Sequence, residues 1–535
     1  MSLPGAPSDY HVNPPAADPG IPPANSTDSF WHRSPSSFLL NHRTTPTLPS
    51  HADIVIIGSG ISGAMTARYL HDHYGPPRAK VVMLEARQAC WGATGRNGGH
   101  CKPALYAAHN FGELFDHMGH DQFLKTITFQ QFNLDLLSTY ATAYSVPCDF
   151  QIAPSCHAYF DQKNFDLARK SIADMAKVFP QLAAQLRVVS ADTAEGRREL
   201  AELTRTPTAV GAVLFTAASL WPYKLVAYIL ERAIKEFGLN LQTLTPVLSV
   251  SRTPRDIQDG GARKWTVSTS RGNITADQVI FATNAHTGHL LPSFRGKIFP
   301  VRGQMSALIP PLSLLERPLT HTYGFHGADL YSGEYLVQRP IHRVTTKTGE
   351  TITTGGELMF GGGRPLARNR GQGMADDSID LPVAEYLRAS IADYFAAETG
   401  YPDESSSLVS RFRRLSVGDP FIRFWDAAEG LSPYGSGGGG DAGDDDDEYN
   451  YPPQSLDKRV CTAKYEWTGV MGFSCDQLPW VGKVPQLTAE EATARGVQVM
   501  DTVIDTEGLW MLAGYEGHGS SPSLPYSFRK IRRLT

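Results

Sequence analysis

At 535 residues, with 41% hydrophobic and 19% charged content, the chain is long enough for two or three domains around a sizeable core and too mixed for a fibrous or wholly disordered protein. The formal net charge of −5 is accounted for by the six acids between Asp441 and Glu448; the remainder balances at +1, so no global field directs the chain to nucleic acid or to a membrane. Six cysteines without CxxC spacing suggest neither a disulfide framework nor a zinc site, and no metal is expected.

Residues 1–28 are rich in Pro, Ala and Ser and read as disordered. From Ser29-Phe30-Trp31 to Pro49 the aromatic and apolar content rises, which predicts an arm packed on the body. Asp53 to Ile57 is a short apolar run bounded by a glycine turn, the pattern of a buried parallel strand. Gly58, Gly60 and Gly63 follow at GxGxxG spacing, with Ser59, Ile61 and Ser62 between them. Gly58 suits a tight turn, Gly60 a close approach to a pyrophosphate, and Gly63 the packing of a helix on its strand. A helix from Ile61 to about His71 would aim its first amides and its dipole at the phosphates. A second strand, Lys80 to Leu84, ends in Glu85, placed to accept hydrogen bonds from a ribose diol. GxGxxG alone is weak evidence, but here the strand, the helix and the acid supply its context. Glu85 lies 22 residues after Gly63, with His71–Pro77 read as a loop that absorbs the excess. An acid rather than an arginine there argues against a 2′-phosphate, hence against NADP.

Ala86 and Arg87 come next, then the loop Gly92-Ala93-Thr94-Gly95-Arg96-Asn97-Gly98-Gly99. This loop resembles that of the D-amino-acid-oxidase-like superfamily of FAD-dependent amine and amino-acid oxidoreductases. Within it the likeness is closest to the GRNGG-loop branch that includes γ-glutamylputrescine-type oxidases. The resemblance implies FAD as cofactor, its ADP half on the first motif with Glu85, Ala86 and Arg87. Thr94, Gly95, Asn97, Gly98 and Gly99 would pass along the flavin and its ribityl chain. Arg96 would act at the flavin or anchor a substrate carboxylate, a structural arginine being the alternative, and His100 would line the active site.

Farther along, Asp121–Ala143 and the face formed by Phe165, Ala168, Ile172, Met175 and Phe179 predict cap helices. A helix opens at Trp221-Pro222 and runs to about Phe237. Leu239–Ser251, Trp265–Thr269 and Ile274–Phe281 read as strands. The resemblance places an adenine contact at Val247, an ordinary strand valine being the alternative, and a cofactor turn at Ala282-Thr283. Asn284 stands there for the family's glycine, since asparagine tolerates left-handed backbone. Pro300–Gln304 matches the family's crossover into a second domain, whose strands Glu334–Gln338 and Glu357–Phe360 and helix Leu381–Thr399 follow. Ser432–Asp447 is a low-complexity acidic stretch, expected to be solvated. Tyr465–Val484 resembles the return into the first domain, and Gly514, Tyr515, Gly517, His518 and Gly519 the last cofactor motif. After Gly519 the prolines at 522 and 525 forbid the helix expected of relatives, so the cap is irregular or the chain is shorter than its relatives.

The expected fold combines α/β and α+β: a Rossmann-like FAD-binding domain (29–110, 205–310 and 455–520) interleaved with an antiparallel-sheet substrate or cap domain (111–204 and 311–431). A disordered segment (1–28), an acidic insertion (432–450) and an irregular tail (521–535) complete the chain. The resemblance implies oxidation of a C–N bond of a small-molecule amine or amino acid by hydride transfer to flavin N5, imine hydrolysis, and reoxidation by O2 to give H2O2. Alternatives are a dehydrogenase with another acceptor and a shortened, inactive relative that acts as a binding protein. The resemblance also makes Lys297 a candidate for oxygen activation, Cys475 for a covalent tether, and Tyr331, Tyr335 and Arg339 for substrate anchors; noncovalent FAD is expected. The N-terminus lacks a basic and apolar leader, and the ending RRLT is no peroxisomal signal, so a cytoplasmic enzyme is the default.

Overall fold

The computed structural model describes residues 17–74, 79–106, 111–253, 265–327, 333–345, 351–395, 460–475, 478–485 and 506–515. The acidic insertion, Tyr331, the motif residues Gly517, His518 and Gly519, and the tail lie outside the described residues.

Two sheets organise the molecule. In the first, His51–Ile57 pairs in parallel with Val81–Leu84 on one side and Gly272–Phe281 on the other. Asn240–Gln242 and Leu509–Ala513 extend it, both parallel, and Trp480–Lys483 closes one edge antiparallel. The central strand is apolar throughout because both its faces are covered. Ile54 and Ile56 enter a core shared with Ala64, Met65 and the helix Pro222–Phe237, while Val55 and Ile57 enter another with Trp265, Val267 and Phe294. Pro222–Phe237 buries Leu225, Val226, Ile229, Leu230 and Ala233. It starts on Pro222, whose missing N–H is no loss there, and stops at Gly238 in a left-handed cap with φ 72°.

The segment Leu239–Ser251 is not one strand. It forms Asn240–Gln242 and Val247–Arg252, separated at Leu244, whose φ is 51°. The N–H groups of Leu244 and Thr245 donate to the carbonyls of Arg87 and Glu85, so the chain leaves the sheet to follow the loop after Glu85. Likewise the first helix runs Ile61–Tyr74, which makes His71–Tyr74 helix rather than loop.

The second sheet runs Ala463–Ser474, Ile298–Leu308, Leu358–Gly361, Gly333–Gln338, Thr322–His326, Gln151–Tyr159, Gly211–Ser219 and His100–Cys101. It is antiparallel except where Thr322–His326 meets Gln151–Tyr159 in parallel. Gln162–Val178 packs Phe165, Ile172 and Met175 against Tyr159, Val213 and Phe215. Leu381–Tyr394 covers Tyr323, Phe325 and Phe360. The long helix Phe111–Ala143 breaks at Gly119. Gly211–Ser219, Ile298–Leu308 and Ala463–Ser474, expected within the FAD-binding parts, belong to this second sheet. The last two pair along nearly their whole lengths, and that pairing fixes their membership.

The arm behaves as read from Ser29 onward, with Phe30 and Trp31 fully buried. Residues 17–28 correct the expectation of disorder. Asp18 contacts His289 and Arg295, and Thr27 bonds Asp376 and Thr468. These polar anchors are scattered through the sequence, so composition could not show them.

Candidate active site

A cavity of about 560 Å³ opens at the C-terminal ends of the parallel strands, where ligands bind in such sheets. Gly58 follows the strand His51–Ile57 with φ 104°, and a Cβ there would sit 2.5 Å from the Ala282 carbonyl oxygen. A Cβ on Gly63 would sit 2.0 Å from the Gly58 carbonyl oxygen, so this glycine serves close helix–strand packing and does not line the cavity. Ser59, Gly60, Ile61 and Ser62 line it with the first turn of their helix. Thr94 Oγ1 accepts the Ile61 N–H at 3.1 Å.

Glu85 is nearly buried. Its Oε2 accepts from Ser59 N and Ser59 Oγ, and its Oε1 from Arg87 N. Those bonds fix the carboxylate on the cavity wall, where Oε1, which accepts one of the three, retains capacity for a ribose hydroxyl. Ala86, Val247, Ala282 and Thr283 line the same end. Arg87 forms a two-pronged pair with Asp376 at 3.1 Å, and Arg96 Nε lies 3.3 Å from the same carboxylate.

Arg96 is correspondingly committed. Its Nε donates to Trp91 O, its Nη1 to Thr468 O and Thr27 Oγ1, and its Nη2 to Ser26 Oγ. Burial lowers its pKa to about 10, against the attraction of Asp376. The geometry is that of a positioning residue and favours the structural arginine over a substrate-carboxylate anchor. The loop around it is clamped from behind. Ser29 Oγ donates to Gly95 O, Trp31 Nε1 to Asn97 O, Trp467 Nε1 to Arg96 O, and Leu220 N to Gly99 O. A Cβ on Gly95 would collide with His32, and one on Gly99 would press on Trp31, so both glycines face the arm rather than the cavity. Thr94, Asn97 and Gly98 face the cavity.

Beyond Gly98 the lining changes character. The Tyr335 ring lies against Gly98 and edge-on to His100 at 5.5 Å between centroids. His100 is held well below its ordinary pKa by burial and then by Lys102, so it is neutral. Lys102 also faces the cavity, and burial lowers its pKa to about 8. His157 and His326 complete this wall, with His157 Nδ1 2.8 Å from Tyr106 Oη. Gly324 leaves space for both neighbours, since a Cβ there would sit 3.1 Å from the His157 ring and 3.4 Å from Lys102 Nζ.

The remaining expectations divide. Tyr515 lines the cavity and its hydroxyl lies 3.3 Å from Ser62 Oγ. Gly514 sits behind it, its N–H donating to Asn284 Oδ1, and Asn284 itself takes φ 42° as its place in the turn requires. Arg339 is not an anchor within the cavity: it is paired to Glu357 and Asp149 and stacked over Trp221. Lys297 lies over Phe294 and Trp480, and Cys475 is exposed, both outside the cavity lining. Sequence reading missed Lys102, Asp376, His157 and His326. Lys102 had a signal, two residues after His100 and therefore on the same side of an extended chain.

The geometry defines a class: a mostly parallel nucleotide-binding sheet, covered by two long helices on one face and by the strands Val247–Arg252 and Trp265–Thr269 on the other, joined to a second sheet, with a cavity lined by both. Its lining suits FAD, with an accepting carboxylate for the ribose at one end, a glycine turn and helix amides in the middle, and an aromatic and imidazole wall at the other. Residues 53–432 match the family of FAD dependent oxidoreductases called DAO, and the chain belongs to that family. It is similar in fold to glycine oxidase from Geobacillus kaustophilus, at 14% identity and a TM-score of 0.57, covering 91% of this chain and 95% of that one. L-proline dehydrogenase from P. horikoshii gives 14% identity and a TM-score of 0.54 over 91% and 94%. Iminodiacetate oxidase from Chelativorans sp. gives 15% and 0.53 over 89% and 93%. A curated relative, a probable oxidoreductase of Haemophilus influenzae, is 25% identical over 265 residues, 49% of this chain and 56% of the relative. The chain thus spans little more than half the length of that relative. FAD is the cofactor the family uses. No helix among the described residues is long and apolar enough to cross a membrane, and no group of three His, Cys, Asp or Glu among them is placed to hold a metal.

Proposed function

We propose that the protein oxidises the C–N bond of a small amino acid or amine, within the GRNGG-loop branch that its sequence resembles. The observation that carries this reading is the wall beyond Gly98, where Lys102 stands among His100, His157 and Tyr335. In this reading the nucleotide-binding sheet and its flanking segments hold the cofactor, and the second sheet supplies the substrate wall. Bound FAD would supply the acceptor for a hydride from the carbon beside the nitrogen. Glu85 and the turn Gly58–Gly60 hold its nucleotide half, with Ala86, Val247, Ala282 and Thr283 beside them. Thr94, Asn97, Gly98 and Tyr515 line the path toward the reacting end.

The chain's own groups then do the positioning. Lys102, charged below about pH 8, takes the carboxylate of an amino-acid substrate. His100 is neutral, so it hydrogen-bonds the substrate nitrogen without repelling or protonating it. Tyr335 fixes the plane of approach, its hydroxyl kept protonated by burial, which pushes its pKa up to about 12. Glycine oxidase and iminodiacetate oxidase among the similar folds act on compounds carrying both an amine and a carboxylate, in keeping with such a pair of contacts.

Oxygen is the proposed electron acceptor. A second reading, a dehydrogenase with a different acceptor, draws on the position of Lys297, which is outside the cavity lining and so is not available for oxygen activation. The decisive test is the visible spectrum of the purified protein, followed by anaerobic reduction with a panel of amino acids and amines. Flavin bleached by an amino acid and restored by air with peroxide release is the expected result. Reduction without peroxide selects the dehydrogenase, and no reduction by any amine or amino acid overturns the proposal.

A further inference from the structure

The family match begins at residue 53, yet the chain upstream of it reaches the cavity. Gly20, Ile21 and Pro22 line its nucleotide end, where they cross between the Arg87–Asp376 pair and residues 284–290. We infer that residues 18–27 form a strap over the bound cofactor, part of the FAD site, whose latch at Asp18 governs FAD release.

The strap has two unlike ends. At the inner end, Thr27 N donates to Asp376 O at 2.8 Å, Thr468 N donates to Thr27 Oγ1 at 3.0 Å, and Arg96 donates to Ser26 and Thr27. Arg96, Asp376 and Thr468 are buried, and Asp376 and Arg96 also support the cofactor loop, so this end is a fixed hinge. At the outer end, Asp18 Oδ1 lies 2.9 Å from His289 Nδ1, and Asp18 Oδ2 accepts from Arg295. Gly20 N donates back to Asp18 Oδ1, and the Gly20 carbonyl accepts from His286 Nδ1 at 3.0 Å. Burial works against the charged Asp18, but these donors outweigh it and leave its pKa below the ordinary value. Asp18 is 40% exposed and Arg295 33%, so the latch is wet and weak where the hinge is dry. Gly20 turns with φ 65°, which lets the chain leave the latch and lie down across the opening.

A dinucleotide held between two sheets leaves by the side that opens most easily. Here that side is the strap, because the other lining segments at this end are the short turns Gly58–Gly60, Ala86 and Ala282–Thr283, which are held between sheet strands and helices, and the buried Arg87–Asp376 pair. Exposed ion pairs are screened by salt, so release should quicken with ionic strength through the latch. The inference rests on FAD binding and is independent of which substrate is oxidised.

The test follows FAD fluorescence as diluted holoprotein releases its cofactor, for wild type, Asp18→Asn and a chain lacking residues 1–23. Loss of two exposed pairs predicts release roughly fivefold faster in Asp18→Asn, with the salt dependence abolished. The truncated chain, which keeps Ser26 and Thr27, should release faster still. Thermal unfolding of the apoprotein separates retention from folding: the inference expects the Asp18→Asn apoprotein to melt with wild type. Unchanged release in both altered proteins would overturn it. So would an apoprotein destabilised as much as the holoprotein, since the segment would then be structural only.

Discussion

At the scale of single residues, the charges around the cavity differ in whether they change near neutral pH. Asp376 is shared between Arg87 and Arg96, all three buried. Replacing it by alanine leaves two guanidinium groups without their counter-charge, and Asp376→Ala is expected to cost about 3–5 kcal/mol in denaturant unfolding. Lys102 is different because it titrates in an accessible range. Its neighbours His100 and Cys156 do not: burial holds His100 well below and pushes Cys156 up to about 12, so neither of these two changes charge between pH 7 and 9. Benzoate binding, read from the flavin absorption of the holoprotein, should therefore be tight below about pH 8 and weaken above it as the ammonium is lost. In Lys102→Met the binding should be at least about tenfold weaker and flat with pH, while Lys102→Arg should restore it without the pH dependence. A pH-independent affinity in the wild type would remove Lys102 from the substrate site. The glycines of the first motif were legible because their spacing and flanks carry the physics. Asp376 was not, because a buried partner 289 residues from Arg87 leaves no local mark.

At the scale of elements, sequence periodicity served well where one face or both faces are simply covered. The helix Pro222–Phe237 shows its start, its stop and its buried stripe in the order of its residues. It failed where hydrogen bonds to a loop override propensity, as at Leu244, which breaks one expected strand into two. The glycine-rich loop Gly92–Gly99 is visible in the sequence, but its tertiary support is not. That support is the arm: Trp31 donates to Asn97 O and its ring lies on Gly99, while Ser29 binds Gly95 O. Trp31→Ala should leave a cavity under the loop and cost about 3–5 kcal/mol, with FAD affinity falling alongside stability. Trp31→Phe keeps most of the volume and loses the indole donor. It should retain most of the stability but bind FAD more weakly, measured by titrating the apoprotein.

At the scale of the whole molecule, the two sheets are interleaved so that neither is built from one stretch of chain. Ile298–Leu308 leaves the nucleotide-binding unit to become the strand next to one edge of the second sheet, and Ala463–Ser474 returns along it as that edge. His100–Cys101 carries the cofactor loop directly into that sheet by pairing with Gly211–Ser219. The cavity between them takes its lining from both, with Gly58 and Glu85 on one side and Gly324 and Tyr335 on the other. A ligand there binds the assembled arrangement and has no site in the unfolded chain. Unfolding of the apoprotein and of the holoprotein should each be a single transition, since continuous strands and shared cores leave no separable unit. FAD should raise the midpoint in proportion to the logarithm of its free concentration, adding about 2.7 kcal/mol at a hundred times its dissociation constant. Calorimetry across a range of FAD concentrations measures both properties. Two resolved transitions, only one of them moving with FAD, would show that the second sheet folds independently of the cofactor site, and the interleaving would then serve only to position the substrate wall.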